Sequence, residues 1–140
     1  MIKNHKILLF SACFFILPFL YLILFVENSN AYERYLSTIM LINFIFSILF
    51  WHNPIKNSII HKLDRFFVIL ALIYGTIYIS IIKSITIEYK YFFLILFFIF
   101  IFLHKLSNKY STKKWCSKKH IFYHFLMHIV GISASYIAFI

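Results

Sequence analysis

Three histidines at intervals of four, His120, His124 and His128, stand near the carboxyl end of a 140-residue chain. On an α-helix that spacing stacks the imidazoles along one face, where an i,i+4 pair can present two ring nitrogens to one metal ion. A further ligand is needed, and His52, at the end of an earlier apolar run, is the candidate. Three histidines with a fourth position left to water is the open arrangement of a catalytic zinc, whose chemistry is hydrolysis by an activated water. Asp64 is suited to hydrogen-bond that water or a ring nitrogen, as general base or orienting group; pairing with Lys62 or Arg65 is the plainer alternative. Ser47 lies more than a turn before His52, where its hydroxyl has either the site or a carbonyl of the preceding turn to bond. Imidazoles on neighbouring helices have a second chemistry, ligation of haem. Their third role needs no ligand at all, since histidine is comfortable at lipid headgroup level.

The elements that must position these residues follow from composition. With 63% hydrophobic and 13% charged residues and a mean hydropathy of +0.88, the chain has too little polar surface to coat a water-soluble globule of its size. It is expected to be an integral, multi-pass membrane protein. Gly and Pro number only two each, which favours long helices over a barrel's turns and alternating strands. Within lipid every backbone donor and acceptor needs an internal partner, so apolar runs rich in Ile, Phe and Tyr become helical despite their β preference. The expected fold is all-α: one transmembrane domain, residues 1–140, with helices at about 7–26, 36–52, 66–82, 91–104 and 120–140. The segment 106–119, rich in Lys, Ser and Asn, reads as a loop that sets topology with a general attraction to lipid, and it is long enough to lie on anionic headgroups.

The net charge of +10 would point to nucleic acid in a soluble protein, but here the cations sit between apolar runs and act as topology signals, so no nucleic-acid partner is expected. On an alternating five-helix path, Lys3, Lys6, Lys56, Lys62, Arg65, Lys105, Lys109, Lys113, Lys114, Lys118 and Lys119 fall on one side. Only Arg34, Lys83 and Lys90 fall on the other. That asymmetry assigns the amino terminus and the two basic loops to the cytoplasm. All the candidate ligands then converge on the cytoplasmic leaflet. The first apolar run resembles a signal peptide, yet at about 20 residues it matches a full crossing and is expected to stay as the first helix. Cys13 falls inside that run and Cys116 in a basic loop, too far apart in depth for a disulfide.

At these residues the chain resembles the CREST superfamily of membrane hydrolases, which takes in the alkaline ceramidases and the adiponectin-receptor and haemolysin III family. Ser47-Ile-Leu-Phe-Trp-His52 is similar to their Ser-and-His helix end. Lys62-Leu-Asp64-Arg-Phe-Phe with Gly75-Thr76 further on resembles their Leu-Asp helix start, and His120-Ile-Phe-Tyr-His124 or His124-Phe-Leu-Met-His128 their terminal His-x-x-x-His. The resemblance implies zinc held by His52 and two of His120, His124 and His128, with Asp64 and Ser47 positioning or activating water for hydrolysis of a lipid amide or ester. Two differences stand beside it: five helices where the family usually has seven, and five residues from Ser47 to His52 where the usual interval is four. The loss of two crossings preserves the side on which the last helix starts, and leaves room for a second copy of the chain to complete the wall. The alternative to an enzyme is a non-catalytic scaffold or receptor-like bundle.

Overall fold

A computed structural model describes residues 5–140, and among them there is helix and no strand. Lys3 lies outside the described residues. Six α-helices make five antiparallel rods: α1 (Lys6–Cys13) with α2 (Ile16–Phe25), α3 (Ala31–His52), α4 (Ile59–Ile77) with its π-helical turn Tyr78–Ile82, α5 (Ile87–Lys113) and α6 (Lys118–Ile137). Four of these rods, Lys6–Phe25, Ala31–His52, Ile59–Ile82 and Ile87–Lys113, are long and apolar enough to cross a membrane. α6, at 20 residues, has a crossing's length, but three histidines and two lysines dilute its apolar content.

Local chemistry explains the breaks. Pro18 has no N–H for the Phe14 carbonyl, and its ring crowds that carbonyl. The chain there passes through i→i+3 bonds, Phe14 to Ser11 (3.2 Å) and Leu17 to Phe14 (3.0 Å), and the first rod divides into α1 and α2. Asn30 starts α3 with a reciprocal cap, its Oδ1 accepting from the Glu33 N–H (2.9 Å) while Glu33 Oε2 accepts from the Asn30 N–H (3.0 Å). α4 and α6 begin with one shared device. Ser58 and Ser117 accept the backbone N–H of His61 (3.2 Å) and His120 (3.3 Å), and those histidines accept, on Nδ1, the N–H of Asn57 (3.0 Å) and Cys116 (3.2 Å). Asn57 and Cys116 are, among the described residues, the two non-glycine residues at positive φ, 65° and 52°, which aims each N–H back at the ring.

Both chain ends of the bundle are pinned. At the basic end the Trp115 indole N–H donates to the Pro54 carbonyl (3.0 Å), joining the α3–α4 and α5–α6 connections. At the other end Lys83 donates to Glu33 (2.9 Å) and to the Ala138 carbonyl (2.7 Å), joining α3, α4 and α6. α5 packs along α6 and α3 along α4, while α1 and α2 bridge α3 and α6. α4 and α5, although consecutive, barely touch. Leu22, Leu36, Tyr78, Ile79, Phe93 and Ile137 fill one end of the interior; Leu8, Ala12, Phe50, Trp51, Cys116 and Ile121 fill the basic end. The outer surface is apolar: Ile81, Phe25 and Phe98 are 77%, 71% and 66% exposed. Such a surface needs lipid against it, so the chain is an integral membrane helix bundle.

Two expectations are corrected in detail. α3 and α4 start about five and seven residues earlier than the apolar runs do, because Asn30 and Ser58 cap them there. The segment 106–119 is mostly helix, since α5 continues to Lys113 and only four residues separate it from α6.

Candidate functional site

The gap between α4 and α5 opens on a cavity of about 330 Å³ that α3 and α6 close from behind. Its basic end is polar, with Ser47, His61, Asp64, His104, His120 and His124. Its far end is apolar, with Leu36, Leu72, Ile79, Phe93, Leu96 and Phe97.

Ser47 and Asp64 meet there. The Ser47 hydroxyl donates to Asp64 Oδ1, tying α3 to α4, and both side chains are buried. The plainer roles weighed for them, a turn carbonyl for Ser47 and a lysine or arginine for Asp64, are not the ones they take. The ion pair among the described residues is Lys83–Glu33, at the opposite end.

His120, His124 and His128 form the expected row, with ring centroids 5.8 and 4.9 Å apart in sequence order. Each Nδ1 is engaged: His120 with the Cys116 N–H, His124 with Ser107 Oγ (3.2 Å) and His128 with Ser11 Oγ (2.7 Å). Because His120 Nδ1 accepts from a backbone N–H, the neutral ring carries its proton on Nε2 and has no lone pair left for a metal. His61 is held in the same tautomer by Asn57. His128 differs, since Ser11 can give its proton to the Leu8 carbonyl (3.1 Å) and accept from Nδ1, which frees Nε2. Of the two registers left open by the sequence, His124–His128 is therefore the pair able to ligate through Nε2.

His52 does not join them. It is exposed, and Trp51, fully buried, takes the inward position with its ring 4.9 Å from that of His124. The reason is helical phase: four residues bring the chain nearly back to the Ser47 face, and a fifth swings it by about 100° more. Among the described residues no group of three His, Cys, Asp or Glu side chains is placed to hold a metal ion. The arrangement as it stands does not fit a three-histidine zinc centre. Burial pushes the Cys116 thiol up, toward the protonated form, and it and Cys13 are both free.

Several cavity residues were not singled out by sequence reasoning. Asn43 and Trp51 share the Ser47 face at intervals of four, and Ser107 and Ser111 follow His104 on one face of α5. Polar residues recurring at three and four within an apolar run were the available signal. Asn43 Oδ1 and Trp51 Nε1 are buried with no hydrogen-bond partner, a costly state inside a membrane bundle. No family model, curated protein or solved structure matches this chain.

Proposed function

We propose that this integral membrane protein admits a membrane lipid through the gap between α4 and α5 and holds the lipid's polar part against the Ser47–Asp64 pair and the histidine row. The observation that carries this reading is the lateral opening itself: consecutive helices that barely touch, leading from the lipid-facing surface into a cavity apolar at one end and polar at the other. A cavity shared only with water would have no use for a wall of Leu72, Phe93, Leu96 and Phe97. Reconstituted with a lipid bearing a photoreactive group on its acyl chain, the protein is expected to be labelled at Leu72, Phe97 and Phe100, and Leu72→Trp, which plugs the cavity, is expected to abolish that labelling. Labelling confined to outer residues such as Ile81 and Phe98 would sink the proposal.

Zinc-dependent hydrolysis of a lipid amide or ester is the second reading, favoured by one observation, the buried Ser47–Asp64 hydrogen bond beside two histidines with Nδ1 engaged and Nε2 available. It requires a third ligand that His52 does not supply in this arrangement. Elemental analysis of the detergent-purified protein decides it. One zinc per chain, lost in His124→Ala, supports the enzyme; no metal in either leaves a lipid-binding bundle without catalysis.

A further inference from the structure

The cations of this chain are concentrated at one end of the bundle, and two of them differ from the rest. Lys56, in the α3–α4 connection, and Arg65, nearly two turns into α4, are exposed and line the mouth of the cavity. Neither has a carboxylate partner. Asp64, the one acid at this end, is turned to Ser47, and the ion pair among the described residues lies at the far end. Lys56 has only a long bond to the Ser111 carbonyl (3.4 Å) and the face of Trp115, 5.6 Å from its centroid. Uncompensated cations with low-dielectric walls on either side focus a positive potential into the mouth.

Lys56 and Arg65 are donors without acceptor capacity, and an anionic oxygen at the mouth is the group that satisfies both. Beyond that the walls are apolar. The volume, about 330 Å³, is near the lower end of ligand sites and accommodates one chain rather than two.

We infer that the occupant of this cavity is a single-chain lipid with an anionic head, the head held at the mouth by Lys56 and Arg65 and the chain lying between α4 and α5. The inference rests on the proposed lipid-binding role and adds the charge and the chain number. An anionic head and free phosphate offer the same oxygens to these cations; the apolar depth assigns the site to the lipid.

The test uses the full chain in uncharged detergent and native mass spectrometry, with lysophosphatidylglycerol, lysophosphatidylcholine and monoacylglycerol of one chain length in equal amounts. The anionic lipid is expected to be retained about tenfold over the other two, a ratio equivalent to ~1.4 kcal/mol. Lys56→Gln with Arg65→Gln is expected to erase that preference while leaving monoacylglycerol retention unchanged. Lys113→Gln, Lys114→Gln, Lys118→Gln and Lys119→Gln together, on the exposed surface, are expected to leave it intact. Equal retention of the three lipids, a preference that disappears with the four surface lysines, or displacement by an equal concentration of inorganic phosphate would overturn the inference. Retention of no lipid, or retention that survives Leu72→Trp, would instead bring down the lipid-binding reading beneath it.

Discussion

Trp51→Ala is expected to destabilise the protein by about 3–5 kcal/mol, the usual cost of deleting a fully buried aromatic side chain. Trp51 has no exposed surface and meets the rings of Phe50, Trp115, His120 and His124, so it packs the end of α3 against the start of α6. The loss is to be read as a lowered melting temperature of the detergent-purified protein by helical circular dichroism. The companion variant Trp51→His separates packing from chemistry. It puts an imidazole four residues after Ser47, on the inward face and beside His124, where the resemblance to the membrane hydrolases would have its first zinc ligand. Acquisition of one zinc per chain by Trp51→His, and its loss when His124→Ala is added, would establish that the cavity keeps the geometry of such a centre with one ligand replaced. Failure of the double-checked variant to take up zinc while folding normally would separate this bundle from that chemistry.

Glu33→Ala is expected to have an effect of similar size, about 3–5 kcal/mol, because it leaves a mostly buried lysine without its counter-charge. The Glu33 carboxylate accepts from Lys83 Nζ (2.9 Å), the Tyr78 hydroxyl (2.9 Å) and the Asn30 N–H (3.0 Å), while the Asn30 side-chain amide donates to Tyr78 (2.8 Å). One side chain thus serves the α3 cap, the π-helical turn and, through Lys83, the end of α6. The double variant Glu33→Leu with Lys83→Met removes both charges together and is expected to recover most of the loss, since the cost lies in the stranded charge rather than in the absent pair. Thermal unfolding of the single and double variants side by side checks this. An unchanged melting temperature in Glu33→Ala would mean that water reaches Lys83 and that the network contributes little.

Much of this architecture was legible in the residues alone. Long apolar runs, scarce Gly and Pro and cations gathered between alternate runs specify an all-helical bundle, because hydrocarbon leaves the backbone no other way to satisfy itself. The run boundaries were less legible. Polarity marks where a helix leaves the apolar layer, not where it stops being a helix, so α5 runs on through Ser107, Lys109 and Tyr110 to Lys113, and α3 begins at its Asn30 cap rather than at its first apolar stretch.

The candidate site divides along the same line. Intervals of four on one chain segment determined that His120, His124 and His128 form a row, since periodicity within a helix is a local property. Which of them has a free ring nitrogen was decided by partners remote or local in sequence: Ser11 for His128, Ser107 for His124, and the left-handed Cys116 N–H for His120. The joining of Ser47 to Asp64 and the exclusion of His52 in favour of Trp51 also came only with the tertiary arrangement. A single residue of helical phase separates an inward side chain from an outward one, and nothing in a sequence of uniformly apolar neighbours reveals which face of α3 turns toward α6. That choice was made by packing, through the space that Trp51 fills and His52 would not.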